Sequence, residues 1–155
     1  MIAAALTLLV AAAPERSVDF EAAALLSMPE RFAVCVGLHP ARVVEVDLCP
    51  ALDRGLIALS GHVFARKQWE KGPFTVAFGA GIGGRAASYC PFRTCALQAG
   101  PEALLSLEAV WWASETLGLT LQLDGGLAVL WSQSAPNVYD YSFRVPARLL
   151  VGIAL

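Results

Sequence analysis

Residues 141–155 read YSFRVPARLLVGIAL, and every second residue of this stretch is apolar. The side chains of a β-strand point alternately to opposite faces, so one face of this strand carries eight apolar residues, from Tyr141 to Leu155. The other face carries Arg144 and Arg148 among mostly small residues. The stretch therefore predicts a strand with one face in an apolar environment and the other in a polar one.

The composition of the chain is more apolar than that of an ordinary soluble domain. Its 155 residues are 57% hydrophobic and 15% charged, with a mean hydropathy of +0.59. Soluble domains average about 45–50% apolar and about 25% charged residues. The length fits one domain, so the excess apolar surface requires either partners or lipid. The formal net charge is −2 without a basic cluster, which argues against nucleic-acid binding.

The N-terminal segment is predicted to be a signal peptide. Residues 1–13 form an apolar stretch that ends in small residues, as such peptides do. Residues 14–155 are then expected to form a single domain. Beyond residue 13 no run of about 18 apolar residues occurs, so helical membrane spans are not predicted.

Alternation of period two recurs along the whole chain and predicts about eight strands. The polar face of these strands is rich in the small residues Gly, Ala and Ser, and small side chains suit the inside of a narrow barrel. We therefore predict an all-β fold, an antiparallel up-and-down transmembrane β-barrel of about eight strands. A soluble sandwich or barrel with its apolar face inside would alternate in the same way and stays open. The seven strands before the C-terminal one are SVDFEAAALLSM, RFAVCVGLH, ARVVEVDLC, LIALSGHVFAR, FTVAFGAGIGGRA, EALLSLEAVWWAS and LTLQLDGGLAVLWS.

The polar faces of these strands carry both signs of charge. Because unpaired buried charges are costly, these side chains are expected to pair inside the barrel and plug it. Since the last strand must close against the first, Arg144 and Arg148 are predicted to meet Asp19 and Glu21. The predicted lumen charge network consists of Asp19, Glu21, Arg31, Glu45, Asp47, Arg66, Arg85, Glu108, Asp124, Arg144 and Arg148.

Aromatic residues fall near the predicted strand ends, as in the girdles of membrane barrels. The predicted girdle has Trp69 and Trp111 at one end, and Trp131, Tyr139 and Tyr141 at the other. Residues 88–102 form the longest predicted connection and lie at the second end.

The four cysteines are expected to form at least one disulfide. Cys90 and Cys95 are close in a loop-like stretch, which favours a Cys90–Cys95 staple in an oxidising compartment. A turn centred near Pro40 would place Cys35 opposite Glu45, so a Cys35–Cys49 disulfide is the less favoured alternative. With two histidines and no ligand quartet at metal spacing, neither a metal nor a cofactor is predicted.

These features together resemble the small bacterial outer-membrane β-barrel family of the eight-stranded OmpA/OmpX type. The resemblance rests on the signal-like start, the alternating strands, VAFGAGIGGR and the final YSFRVPARLLVGIAL. It implies a monomeric, porin-like protein of the Gram-negative outer membrane, exported through the periplasm and surrounded by membrane lipid. It also implies that the barrel-assembly machinery reads the last strand, which usually ends in Phe and here ends in Leu155.

The expected role is structural, a surface interaction or minor permeability, without a catalytic site. One alternative is a lipid-modifying hydrolase, in which His62 would act on Ser60 with Glu45 or Asp47 nearby. The serine–histidine pattern of the family's lipid A deacylases on the last strands is absent. The other alternative is a secreted, soluble binding protein.

Overall fold

The computed structural model describes residues 18–26, 31–53, 56–89, 96–135 and 138–155, which form nine β-strands. No helix in these ranges is long and apolar enough to cross a membrane. The predicted signal peptide and the predicted Cys90–Cys95 disulfide lie outside the described residues. The strands are β1 (Val18–Leu26), β2 (Phe32–Ala41), β3 (Val44–Asp53), β4 (Leu56–Lys71), β5 (Phe74–Tyr89), β6 (Ala96–Trp112), β7 (Gly118–Ala135), β8 (Val138–Arg144) and β9 (Ala147–Ala154).

From β1 to β8 each strand pairs antiparallel with the next, and β9 pairs with β7 and with β1 to close the sheet into a barrel. Both β8 and β9 pair with β7 in one continuous register, so they are the two halves of a single eighth strand. The interruption falls at Pro146, which lacks a backbone N–H and cannot donate to the ladder. Its carbonyl still accepts a bond from the Gly126 N–H at 3.1 Å. The predicted antiparallel, up-and-down barrel of eight strands is confirmed.

The barrel has two distinguishable ends. At the lower end the Leu155 N–H donates to the Val18 carbonyl at 2.9 Å. The β4–β5 hairpin also turns at this end, through Gly72 and Pro73, and Gly72 has a φ of 59°, which suits glycine. The C-terminal ends of β1, β3, β5 and β7 lie at the upper end.

Strands β4 to β7 are longer than the sequence predicted, with 16 to 18 residues each. The predicted loop over residues 88–102 is therefore wrong at its C-terminal part, because β6 already begins at Ala96. Apolar and small residues in this segment alternate too weakly to mark a strand, and only pairing with β5 makes the strand evident.

The two faces of the strands have opposite character. Most inward-facing charged and polar side chains, such as Arg66 and Glu108, are buried, while large apolar side chains such as Leu105, Leu107 and Leu123 are about half exposed on the outside. Inward glycines make room for larger neighbours: a Cβ at Gly81 would lie 2.7 Å from Cε1 of Phe64. The alternative of a soluble sandwich or barrel with its apolar face inside is therefore wrong.

Candidate functional site

Arg66, on β4, is the centre of the buried side chains in the barrel. Its Nη1 forms ion pairs with Glu45 and Glu108, the latter at 2.5 Å. Its Nη2 donates to Gln122 at 2.9 Å and to Ser106 at 3.3 Å. This one guanidinium therefore links strands β3, β4, β6 and β7 across the lumen.

A second set of contacts surrounds Arg148, on β9. Its Nη2 lies 2.5 Å from Asp124 and 3.6 Å from Asp47. Its Nη1 donates to Nδ1 of His62 at 3.4 Å, and Nε2 of the same ring lies 2.8 Å from Glu102. Because arginine can only donate, Nδ1 of His62 accepts, which leaves the ring proton on Nε2 facing Glu102.

The lower part of the lumen holds a further pair of contacts. Nε2 of His39 lies 2.5 Å from Asp19, and its Nδ1 lies 3.9 Å from Glu45. Two residues further along β1, Glu21 accepts a hydrogen bond from the Thr120 hydroxyl at 2.5 Å. These contacts extend the buried polar side chains toward the lower end.

We call the buried ionisable side chains and the Gln122 that bridges them the interior network. Among the described residues, seven buried carboxyl groups face three guanidinium groups and two imidazoles. The interior is therefore rich in acid, and Arg66 and Arg148 each pair with two carboxylates. The interior network consists of Asp19, Glu21, His39, Glu45, Asp47, His62, Arg66, Arg85, Glu102, Glu108, Gln122, Asp124 and Arg148.

Nine of the eleven residues of the predicted lumen charge network lie in this interior. The placement of Arg31 and Arg144 inside the lumen is wrong, because both side chains are exposed. Both have the inward parity, but Arg31 directly precedes β2 and Arg144 is the last residue of β8. Arg31 lies at the upper end, and Arg144 lies beyond the last residue of β1, which pairs with Ala147, so inward parity does not mean burial at these two positions.

The predicted charge pairing at the closing seam is also wrong. In the β1–β9 register, Glu21 lies opposite Gly152 and Arg148 lies opposite Leu25. Four residues along a strand correspond to about 13 Å, so Arg148 is too far along the barrel to reach Glu21. Arg148 instead pairs with Asp124 on the other neighbouring strand, directly opposite in the β7–β9 register.

Sequence reasoning missed several members of the interior network. Glu102 lies where the predicted long loop meets the predicted strand EALLSLEAVWWAS, and His39 is the last residue of the predicted strand RFAVCVGLH. Gln122 was assigned to the inward face, but it carries no charge and was not recognised as a bridge. A signal was present in the sequence, because Gln122 lies two residues from Asp124 and therefore on the same face of the strand. In the structure Nε2 of Gln122 donates to that carboxylate at 3.0 Å.

The disulfide of the described residues joins Cys35 and Cys49, the pairing that the sequence ranked second. The β2–β3 hairpin turns at Arg42 and Val43, and its register shifts between Leu38 and Ala41. The later turn, together with this one-residue shift, places Cys49 rather than Glu45 beside Cys35, with their Cα atoms 4.1 Å apart. The expectation of a turn centred on Pro40 is therefore wrong.

The predicted girdle residues all lie on the outer face and are exposed. Trp111 pairs in register with Phe74, and Trp69 lies close by near the lower end. At the upper end Trp131 lies opposite Tyr141, and Tyr139 is two residues further along β8. Two bands of aromatic side chains therefore flank the apolar exterior.

Ser60 and His62, the two residues named in the hydrolase alternative, are both buried on the inward face of β4. Both ring nitrogens of His62 are engaged, one by Glu102 and one by Arg148, so neither is directed to Ser60. Within the described ranges, no group of three or more His, Cys, Asp and Glu side chains is placed to hold a metal ion.

These features define a class of protein: an eight-stranded antiparallel barrel with a charged interior and an apolar exterior. Neither a protein-family model nor a curated protein matches the chain. Among solved structures, the barrel is similar to neisserial surface protein A, with a TM-score of 0.56. That likeness covers 89% of this chain and 93% of the other, at 12% sequence identity. At this identity the likeness establishes the shared fold.

Proposed function

We propose that the chain is an outer-membrane β-barrel of the small OmpA/OmpX-like type, with a non-enzymatic role. The observation that carries this proposal is the inverted distribution of side chains, with charges inside and a continuous apolar exterior. In hydrocarbon every backbone N–H and C=O must be bonded internally, and a closed barrel satisfies this requirement. The name of the similar solved barrel, a surface protein, supports the same location.

The strands β4 to β7 are also long enough to cross a membrane. A tilted strand needs about 9–11 residues to cross a membrane. Strands β4 to β7 exceed this length, so their upper ends would project beyond the lipid. Both chain ends would face the periplasm, from which the chain is inserted as a monomer by the barrel-assembly machinery acting on β8 and β9.

The interior network supports a structural role over free permeation. Phe64, Leu150, His62 and Gln122 are among the largest fully buried side chains, and they occupy the space that a pore would need. Eight strands enclose an interior only wide enough for side chains to fill. The upper ends of the strands, with exposed Tyr139, Tyr141 and Phe143, are then the surface available for interactions.

The test of membrane insertion is heat modifiability. The chain is folded into detergent and run on a gel before and after boiling, and we expect a compact species only without boiling. A chain that remains soluble and monodisperse in the absence of detergent would refute the proposal.

The test of the plugged interior is a leak assay with lipid vesicles loaded with KCl. We expect the folded barrel to leak at the rate of protein-free vesicles. Stepwise conductance of the same barrel in a planar bilayer would show that the interior network does not close the lumen.

A further inference from the structure

The Cys35–Cys49 disulfide lies inside the barrel rather than at its rim. The two residues are 0% and 2% exposed, and they occupy the inward faces of neighbouring strands β2 and β3. Any reagent that makes or breaks this bond must reach one of these two sulfur atoms. Access to the bond is therefore set by the state of the barrel.

Two sets of side chains surround the cysteines. Nη1 of Arg148 lies 3.6 Å from Sγ of Cys49, and Asp124 holds that arginine in place. Both cysteines also belong to a cluster of buried apolar residues. Besides the cysteines, this cluster contains Ala23, Ala33, Ala51, Leu56, Ala58, Ala87 and Leu150.

Disulfide formation requires close approach by a second sulfur compound. A thiolate of one cysteine attacks a sulfur of the oxidant's disulfide, and a mixed disulfide forms as one oxidant thiol leaves. The second cysteine then attacks its partner's sulfur and releases the other oxidant thiol. The two cysteines thereby lose two electrons and two protons, and the oxidant's disulfide becomes a dithiol or two thiols. In the closed barrel the two cysteines are 0% and 2% exposed, so an oxidant in solution does not reach their sulfur atoms.

We infer that Cys35 and Cys49 are oxidised before the barrel closes, by a disulfide-carrying thiol oxidant acting on the open chain. The geometry permits this order, because the two cysteines belong to adjacent strands of one hairpin and are separated by 14 residues. Their contact needs only the β2–β3 pairing and none of the other strands. Closure then buries the bond, which becomes inert to oxidants and reductants.

The order of events, oxidation before closure, rests on the closed barrel. That the oxidant acts in the periplasm rests on the proposed function. A membrane barrel exported through an oxidising compartment passes such oxidants while it is unfolded. The chain would therefore be a substrate of a thiol oxidant as well as of the insertion machinery.

The experiment uses the chain with Cys90→Ser and Cys95→Ser, so that only Cys35 and Cys49 carry thiols. The reduced chain receives glutathione disulfide either in urea before folding or in detergent after folding. The free thiols are then counted with a polymer-coupled maleimide after denaturation. The Cys35→Ser/Cys49→Ser variant in the same background gives the blank.

We expect the open chain to form the link and the folded, reduced barrel to form it on the order of a hundredfold more slowly, because the thiols react only in rare openings. A reduced chain that gives the compact gel species only after oxidation would also support this order. Equal rates before and after folding, with the compact species present, would refute the inference while leaving the barrel intact. A chain without any compact species in either redox state would refute the closed barrel and the inference together.

Two further measurements ask which oxidant reacts faster and whether the folded barrel protects the disulfide from reduction. A protein oxidant with a Cys-X-X-Cys disulfide replaces glutathione disulfide, and a faster reaction of the open chain identifies the protein as the preferred source. In the reverse direction, dithiothreitol should leave the link intact in the folded barrel and cleave it after boiling. Cleavage at the same rate in the folded state would contradict the proposed protection.

Discussion

Arg66 gives the most direct test of the interior network, through the substitution Arg66→Ala. Its guanidinium pairs with Glu45 and Glu108 in a site where all three side chains are almost fully buried. Removing one partner of a buried ion pair costs about 3–5 kcal/mol, because the remaining charge stays buried and uncompensated. The interior holds more carboxyl groups than basic groups, so we expect a loss in this range.

The assay is equilibrium unfolding by urea in detergent, followed by tryptophan fluorescence and by the gel shift on boiling. With a urea dependence of about 2 kcal/mol per molar, the expected loss lowers the midpoint by about 1.5–2.5 M. Arg144→Ala is the matched control, since it removes the same side chain from an exposed position. Its effect should stay within about 0.5 kcal/mol.

A compensating variant separates lost charge balance from lost packing. Replacing Arg66 with Met and both Glu45 and Glu108 with Gln removes all three charges together. Buried ion pairs can be exchanged for neutral groups of similar volume with little loss, so this variant should recover most of the stability. If Arg66→Ala unfolds at the same urea concentration as the parent, the interior is screened by water and the reasoning is refuted.

Three further predictions address packing, the apolar exterior and the disulfide. Gly81→Ala should lower stability by about 1–3 kcal/mol, because the new Cβ lies 2.7 Å from Cε1 of Phe64. Leu123→Arg, at mid-height on the outer face, should cost about 2–4 kcal/mol in lipid vesicles, as charges do at the centre of a membrane. Cys35→Ser/Cys49→Ser should cost about 3 kcal/mol, since the open chain regains the freedom of a loop of this length. Urea unfolding in vesicles measures all three.

Each of these predictions has a control in the same chain. Gly125→Ala should be neutral, because a Cβ there meets nothing within 4 Å. Leu119→Arg, opposite Trp111 near the lower end, should cost about 0–1 kcal/mol. Cys90→Ser/Cys95→Ser leaves the buried disulfide unchanged and is the reference for its removal. If a variant and its control lose the same stability, the prediction for that variant is contradicted.

The sequence alone predicted the fold and the face to which most side chains belong. Asp124 and Glu108 were assigned to the interior and Leu107 to the exterior by parity, and the structure has all three there. This is a local property, because the direction of a side chain on a strand follows from its backbone and changes with every residue. Composition then indicated which face meets lipid, since the small residues had to lie where space is limited.

Only the tertiary structure decided which charges meet. Glu108 on β6 pairs with Arg66 on β4, and Arg148 pairs with Asp124 rather than with Glu21. Cys35 forms its disulfide with Cys49. These partners depend on the register between strands, and a shift of a few residues at one turn replaces Glu45 by Cys49 beside Cys35. Burial also depends on height in the barrel, which separates Arg148 from Arg144 although both have inward parity. Register and height arise from the closure of all eight strands together, so no single stretch of sequence contains them.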